Sequence, residues 1–235
     1  MKESSRERVG VVVVAAGSSE RMGGVDKIFA IVAGKPVLAH SLSVFERCSL
    51  VDQVVVVLND ASLEQGREMV ESQGFSKVVA LCRGGRRRQD SVAEGLGRLE
   101  GCHWVIIHDG ARPCVTSELV ERGLDEVRQT GAAIAAVPVK ETVKVIDVER
   151  IVQNTPHRGN LWAAQTPQIF RFDIIVQAYR RTPEEVTDDA AAVEALGHKV
   201  KVYMGLYDNI KVTTREDLAL AEIIMRERDE GRHWV

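Results

Sequence analysis

The chain has 235 residues, a formal net charge of −3 and 28% charged residues, which are ordinary values for a globular protein. This length fits one α/β domain or two small ones, and the small negative charge excludes a global attraction to nucleic acid or anionic membranes. No apolar run approaches the roughly 20 residues of a membrane span, and residues 1–8 lack the apolar core of a secretory signal. The four cysteines lie outside any zinc-binding spacing, so we expect a cytoplasmic protein with reduced thiols.

Apolar strands and amphipathic helices alternate along the first part of the chain. The run Val9–Ala15 is almost entirely apolar, as in strands of parallel sheets that are buried on both faces. The elements predicted after it are a helix at 36–48, a strand at 53–58, a helix at 61–73, a strand at 77–81, a helix at 89–99, a strand at 104–108, a helix at 117–129 and a strand at 132–137. This order predicts a doubly wound, mainly parallel sheet with right-handed crossovers.

The alternation of strands and helices breaks after Pro138. Polar and β-branched residues alternate over 140–153 around a predicted turn at 147–150, which predicts a two-stranded ribbon without a covering helix. Such a ribbon is only marginally stable alone in water, so we expect residues 139–160 to form an arm that packs against a second subunit in a homodimer. Helices at 172–179 and 188–196, a strand at 199–204 and a helix from Arg215 to Arg228 complete one domain. Residues 187–189 predict a helix N-cap with acids that complement the helix dipole, and residues 214–217 predict a capping box.

The segment after the first strand combines small residues with two cations. Ala15, Ala16 and Gly17 let a ligand approach the backbone closely, and Arg21 and Lys27 follow. Ligands of open α/β sheets bind at this end of the strands, so the loop predicts a triphosphate site, although a turn with solvated charges would have the same composition. The Walker and dinucleotide motifs are both absent, which argues against a P-loop NTPase and a nicotinamide-dependent oxidoreductase.

Four further segments at strand ends carry groups that could contact a ligand. Residues 84–91 place two glycines and three arginines before a helix, whose first N–H groups attract anions; an RNA-binding patch is the alternative. Asp109 could meet magnesium or ribose hydroxyls, or else cap a helix or pair with Arg112. Arg158 stands where the arm returns to the domain. Lys211 follows the last strand, where it could also be an exposed edge lysine.

Taken in this order, the segments resemble the 2-C-methyl-D-erythritol 4-phosphate cytidylyltransferases of the nonmevalonate isoprenoid pathway. The matching motifs span nearly the whole chain and fall at 15–22 with the following Lys27, 84–91, 108–113, 140–158, 166–168 and 208–213. The resemblance implies a Rossmann-like nucleotidyltransferase fold with a protruding two-stranded β-arm. The family commonly has proline before the loop lysine and glutamine after it, whereas this chain has Asp26 and Ile28.

The resemblance also implies a reaction and a role for each matching residue. CMP would pass from CTP to methylerythritol phosphate with release of pyrophosphate, and Mg²⁺ would be the cofactor. Arg21 and Lys27 would stabilise the transition state, while Lys211 and the partner subunit's Arg158 would position the alcohol phosphate. The residues implied for CTP binding are Ala15, Ala16, Gly17, Gly85, Arg88 and Ser91. Those implied for the alcohol phosphate are Asp109, Arg112, Thr142 and Thr166, and Asp109 is also the metal ligand unless the CTP phosphates alone hold the ion.

The chemistry of this reaction does not require a general base. The attacking phosphate monoester is mostly dianionic at neutral pH because its second pKa is about 6, so His157 is not needed as a base. Cations and a metal ion would supply electrostatic stabilisation instead. Two alternatives remain: a cytidylyltransferase for ribitol 5-phosphate, and a non-catalytic CTP-binding regulator. The motifs at 108–113 and 155–162 favour methylerythritol phosphate, and the presence of both Arg21 and Lys27 argues against a regulator.

Overall fold

A seven-stranded sheet with helices on both faces forms the centre of the protein, and the computed structural model describes residues 6–17, 27–182 and 185–231. The strands are β1 (Val9–Ala15), β2 (Ile31–Val32), β3 (Lys35–Pro36), β4 (Gln53–Leu58), β5 (Val78–Arg83), β6 (Trp104–Asp109), β7 (Ala132–Pro138), β8 (Val145–Ile146), β9 (Val152–Asn154), β10 (Trp162–Arg171) and β11 (Lys201–Met204). The helices are α1 (Val37–Arg47), α2 (Leu63–Gln73), α3 (Arg88–Leu96), α4 (Ser117–Thr130), α5 (Phe172–Arg181), α6 (Asp189–Ala195) and α7 (Arg215–Asp229).

The central sheet is mainly parallel, which confirms the predicted fold class. Its strand order is β11-β7-β10-β6-β1-β4-β5. β10 pairs antiparallel with both β6 and β7, and the other pairs in this sheet are parallel. The carboxyl ends of β1, β4, β5, β6 and β7 therefore meet at one edge, where ligands of such sheets bind.

Two apolar cores hold six of the helices against the sheet, and a third, smaller cluster packs α7 against β2 and the start of α1. One core packs α1, α2 and α4 on one face, and the other packs α3, α5 and α6 on the opposite face. The side chains of β1 are apolar on both faces, so the strand contributes to both cores. The uninterrupted run of valines predicted this burial on both faces. Gly95 brings α3 close to this strand, since a Cβ at that position would stand 2.5 Å from Val12 Cγ1.

The long strand β10 was not predicted from the sequence. It carries Pro167 and three buried polar residues, Gln165, Thr166 and Gln168, a composition that argues against a central strand. The pairing with β7 shifts register between Ala164 and Gln168, and this irregularity accommodates the proline. The short ribbon of β2 and β3 was not predicted either. The other predicted elements match the structure with small shifts at their ends.

The predicted ribbon is present as the antiparallel pair β8 and β9. The Asp147 carboxylate closes its turn by accepting hydrogen bonds from the backbone N–H groups of Glu149 and Ile151. Six large apolar side chains of this segment are exposed: Val143, Val145, Ile146, Val148, Ile151 and Val152. Within the described ranges, none of the helices is both long enough and apolar enough to cross a membrane.

Candidate active site

A cavity of about 220 Å³ opens at the carboxyl edge of the sheet, between the ends of β1 and β6 and the start of α3. Small residues and backbone at Ala15, Ala16 and Gly17 form one wall. Among the described lining residues, five are cationic and only Asp109 is acidic; the cationic ones are Lys27, Arg86, Arg87, Arg88 and Lys211. A cavity with this excess of positive charge suits a polyanion such as a triphosphate.

Lys27 reaches back over the end of β1. Its Nζ lies 3.9 Å from the position that a Cβ on Gly17 would occupy, so the ammonium stands beside the backbone that directly follows β1. The next residue, Ile28, is 2% exposed within the apolar core, and its carbonyl accepts a hydrogen bond of 2.9 Å from the Leu38 N–H. Because Ile28 is buried in the core, the position after the lysine needs an apolar residue. The same burial holds the backbone of the neighbouring Lys27 against the core. Arg21 and Asp26 lie outside the described residues.

The glycine–arginine segment forms a tight entry into α3. A Cβ on Gly84 would stand 2.5 Å from the Ala16 Cβ, so this glycine lets the segment pack against the β1 loop. Ser91 is buried; its hydroxyl accepts from the Gly85 N–H at 3.1 Å and donates to the Arg87 carbonyl at 3.2 Å. Ser91 therefore shapes the loop that lines the cavity.

The three consecutive arginines have three different environments. Arg86 is exposed and lines the cavity. Arg87 precedes the first turn of α3, where its guanidinium pairs with Asp90 at 2.7 Å and its N–H donates to the same carboxylate. Arg88 is largely buried and bridges two carboxylates. Because a helix begins here, neighbouring side chains point in different directions.

Arg88 connects the cavity to α6. One guanidinium nitrogen lies 2.6 Å from Asp109 Oδ1 and the other lies 2.6 Å from Asp189 Oδ2, while the Tyr179 hydroxyl donates to Asp189 Oδ1. Asp189 is 1% exposed, and burial raises the pKa of its carboxyl against the opposing effect of Arg88. The sequence indicated only a helix cap at 187–189. Asp188 is that cap, and it accepts from the Ala191 N–H at 2.9 Å.

Asp109 is surrounded by cations. Besides Arg88, Lys211 Nζ lies 2.9 Å and Arg112 Nε lies 3.5 Å from its Oδ2. Burial alone would raise the pKa of Asp109, but Arg88, Lys211 and Arg112 hold it well below its ordinary value. The carboxylate is therefore ionised at any physiological pH. Lys211 is also not merely a solvated edge lysine, since it points at this carboxylate.

Thr166 and Arg112 form hydrogen bonds around the site without lining the described cavity. The Thr166 side chain is 4% exposed, and its hydroxyl oxygen lies 3.1 Å from the Asp109 N–H that donates to it. The Arg112 guanidinium donates to the Asn209 carbonyl at 2.8 Å. In the part of the chain that the structure describes, neither residue lines the cavity itself. Their substrate-binding roles remain predictions.

Two predicted residues of the arm stand apart from the cavity of their own chain. Thr142 and Arg158 are exposed, and the Arg158 guanidinium donates to the Lys140 carbonyl at 2.9 Å. The cavity lining, as far as the described residues define it, includes neither of them. The structure thus brings together the predicted residues Ala15, Ala16, Gly17, Lys27, Gly85, Arg88, Ser91, Asp109 and Lys211.

The donor set fits a metal ion held mainly by substrate phosphates. Within the described ranges, no three His, Cys, Asp or Glu side chains come together as a metal site. Asp109 is a single carboxylate whose two oxygens already face three cations. Magnesium in phosphate-transfer sites commonly uses one or two carboxylates together with substrate phosphates, so this site does not fit a metal bound by protein alone.

The sheet, the glycine-containing segments at its carboxyl edge and the cationic cavity define a Rossmann-like α/β protein of the nucleotidyltransferase class. Residues 9–227 match the 2-C-methyl-D-erythritol 4-phosphate cytidylyltransferase family (IspD), and the chain belongs to this family of enzymes.

Individual relatives and solved structures agree with this assignment. The cytidylyltransferase of that name from Dehalococcoides mccartyi is 51% identical, with 94% of this chain and 97% of the relative covered. The one from Alkaliphilus oremlandii is 42% identical, with 96% and 98% covered. Among solved structures, the 4-diphosphocytidyl-2C-methyl-D-erythritol synthase of Anaerococcus prevotii superposes with a TM-score of 0.83 at 30% identity, covering 94% of this chain and 96% of that one.

Proposed function

We propose that this protein transfers CMP from CTP to 2-C-methyl-D-erythritol 4-phosphate and releases pyrophosphate. The observation that carries the proposal is the cavity itself, in which five cations and the backbone after β1 surround a space at the carboxyl edge of the sheet. Membership of the cytidylyltransferase family supplies the substrates. A polyanion and a second anion can meet in such a cavity because its fixed positive charges reduce their mutual repulsion.

The reaction needs charge stabilisation more than proton transfer. An oxygen of the methylerythritol phosphate attacks the α-phosphorus of CTP, and the bond between this phosphorus and the oxygen bridging to the β-phosphate breaks. Pyrophosphate leaves with the electron pair of that bond. The nucleophile is already mostly dianionic at neutral pH, so the protein's main task is to stabilise the negative charge that builds up at the α-phosphate.

The residues divide this task between the two substrates. Lys27, together with the predicted Arg21, contacts the triphosphate and the transition state. The backbone at 15–17 and the segment containing Gly85, Arg88 and Ser91 bind the nucleotide. Lys211, Asp109 and Arg112 face the alcohol phosphate, since Lys211 and Asp109 line the cavity and Arg112 pairs with Asp109.

A divalent cation such as Mg²⁺ belongs to the proposal as an ion that the CTP phosphates hold. Its chemistry would be to neutralise phosphate charge in the transition state. Asp109 is the residue that would contact it, because it is the one carboxylate among the described lining residues.

A homodimer formed through residues 139–160 completes the site. Three observations support this part of the proposal: the arm's apolar side chains are exposed, a two-stranded ribbon is marginally stable alone, and Thr142 and Arg158 do not line their own chain's cavity. In the dimer, Arg158 of the partner subunit contacts the alcohol phosphate, and Thr142 assists on the same side. The enzyme would act in the cytoplasm.

A pyrophosphate-release assay with CTP tests the proposed function. Methylerythritol phosphate and ribitol 5-phosphate are compared as acceptors in parallel, each with and without Mg²⁺. We expect release with methylerythritol phosphate and Mg²⁺. Preference for ribitol 5-phosphate would identify the alternative cytidylyltransferase, and CTP binding without turnover on either acceptor would indicate a regulator.

A further inference from the structure

His108 is a fully buried histidine directly behind the cavity. It lies on β6 next to Asp109 and is 0% exposed. Its Nδ1 is 3.0 Å from the Thr166 hydroxyl, and its Nε2 is 3.2 Å from the Arg112 carbonyl oxygen. The edge of the Phe45 ring packs against the imidazole, with ring centroids 5.3 Å apart. Both nitrogens of the ring therefore have partners, although the proposed mechanism assigns this residue no role.

The partners determine which nitrogen carries the hydrogen. A carbonyl oxygen only accepts, so His108 Nε2–H donates to Arg112 and Nδ1 must be an acceptor in the neutral ring. The Thr166 hydroxyl then donates to Nδ1, and its oxygen accepts from the Asp109 N–H. The imidazole is fully buried, and its two printed partners, a carbonyl oxygen and a hydroxyl, are uncharged, so the ring is neutral. Every donor in this chain of hydrogen bonds has one acceptor.

This arrangement also fixes the hydrogen of Thr166. A hydroxyl has a single hydrogen, and here it is directed at His108, away from the cavity. Thr166 can accept a hydrogen bond from elsewhere only with its remaining lone pair. The Arg112 carbonyl is held from a second direction by the Ser41 hydroxyl, which donates to it at 3.1 Å. The backbone at residues 109 and 112 is therefore held through one imidazole.

We propose that His108, as the neutral tautomer with hydrogen on Nε2, is a positioning residue for the alcohol-phosphate side of the site. It acts on the Asp109 backbone through Thr166 and on the Arg112 backbone directly. The role of Thr166 is then to link His108 to Asp109. The expected kinetic effects rest on the proposed function, whereas the tautomer of His108 does not depend on it.

The kinetic test compares variants that keep or remove each link. Thr166→Val leaves the Asp109 N–H and His108 Nδ1 unpaired in a buried place, and we expect kcat/KM for methylerythritol phosphate to fall by at least about tenfold. Thr166→Ser keeps the hydroxyl and should stay within about threefold of wild type. Because the link acts on the acceptor side, KM for methylerythritol phosphate should rise more than KM for CTP. Equal rises in both, or a large loss in Thr166→Ser, would overturn the proposal.

A double-mutant cycle separates the link from two independent contacts. His108→Phe keeps a ring but removes both hydrogen bonds. Adding Thr166→Val to it should lower kcat/KM for methylerythritol phosphate by less than about a further twofold, because the two residues act as one unit. If the effects of the two substitutions on kcat/KM instead multiplied, Thr166 would bind substrate on its own, which would contradict the proposal. His103 is an exposed histidine that directly precedes β6. His103→Phe is therefore the matched control, and its kcat/KM should equal that of wild type. Circular dichroism and thermal unfolding confirm that each variant folds.

NMR of the wild-type enzyme with ¹⁵N-labelled histidine tests the tautomer directly. We expect the histidine signal that is absent in His108→Phe to have an unprotonated Nδ1 and a protonated Nε2. A protonated Nδ1 in that signal would overturn the proposal even if the enzyme is active. Failure of wild-type protein to release pyrophosphate would reject the proposed function and leave this measurement valid.

Discussion

Asp109 is held as an anion by its neighbours, and its carboxylate in turn holds three cationic side chains in place. Arg88, Lys211 and Arg112 all contact one carboxylate, which gives them a common reference point at the cavity. Burying a charge is tolerated only with such partners. Removal of the carboxylate alone would leave three cations close together, and their repulsion would disperse the group that the proposed reaction uses.

Lys27 gives the most direct test of charge stabilisation. Lys27→Ala should lower kcat by about 100-fold or more, because the ammonium would act on charge that develops in the transition state. Steady-state kinetics with both substrates measures this effect. Lys201→Ala, on the exposed start of β11, is the matched control and should have wild-type kinetics. A rise in KM at unchanged kcat would assign Lys27 to ground-state binding instead.

His108 also predicts how stability depends on pH. Its pKa is about 4 in the folded protein against 6.5 for an unperturbed histidine. Between these values the unfolded chain binds more protons, so the free energy of unfolding rises with pH, and about 3 kcal/mol is lost as pH falls from 6.5 to 4.

Urea unfolding at several pH values measures this contribution. His108→Phe should flatten the slope between pH 4 and 6.5, whereas His103→Phe should leave it unchanged. An unchanged slope in His108→Phe would show that other groups cause the acid sensitivity.

At the level of elements, α3 joins the apolar core to the site. Its first turn carries Arg88 and Ser91, and its last turn packs on β1 through Gly95. A change in how this helix lies on the sheet would therefore move the residues that line the cavity. Gly95 lies in the last turn and Gly97 at the C-cap, and their different surroundings allow a matched comparison.

Gly95→Ala should destabilise the protein by about 1–3 kcal/mol, because overpacking a tight interface forces neighbours to shift. The new Cβ would stand 2.5 Å from Val12 Cγ1 and 3.0 Å from Val57 Cγ2. At Gly97 the nearest atoms are 3.6 Å away and φ is −65°, so Gly97→Ala should be nearly neutral. Equal effects of the two substitutions in denaturant unfolding would refute this packing argument.

The elements also show how far the sequence alone could go. The run of valines in β1 identified a buried parallel strand, and the pattern at 214–217 identified the capping box of α7, because both signals are local. β10 was missed because a proline and polar side chains in a central strand are tolerated only through tertiary hydrogen bonds. Gln168, for example, donates to Asp188 and accepts from the Ala190 N–H.

The same distinction applies to the site. Lys27, Arg88, Asp109 and Lys211 fall at strand ends, and topology alone brings strand ends together. Asp189 was read as a helix cap because nothing near it in the chain indicates its ion pair with Arg88, a residue far away in sequence. The commitment of the Thr166 hydroxyl to His108 likewise depends on a neighbouring strand. Long-range polar pairing leaves no local pattern.

At the scale of the whole molecule, charge is distributed unevenly. The net charge is −3, yet the described lining of the cavity carries five cations and one carboxylate. Composition therefore excluded a generally basic surface without excluding a strongly basic site. The arm adds a second asymmetry, because its exposed apolar side chains belong to none of the three apolar clusters.

Mixing two inactive variants tests whether the arm completes a partner's site. Lys27→Ala and Arg158→Ala, each nearly inactive alone, should regain up to about one quarter of wild-type activity when co-expressed, because half of the dimers are mixed and each holds one intact site. Sedimentation should show dimers in all samples, and two copies of the same variant co-expressed serve as the control. Absence of recovery in dimeric protein would place both residues in one subunit's site.

The antiparallel direction of β10 determines where the arm emerges. β7 ends at the cavity edge and β10 begins there, and their pairing closes at Pro138 opposite Trp162. In topological terms, the arm is a long insertion at the tip of a β-hairpin whose base already belongs to the sheet. Its length and sequence can therefore diverge between related chains without disturbing the hydrogen bonds of the sheet, while every version of it would still start at the carboxyl edge of the sheet.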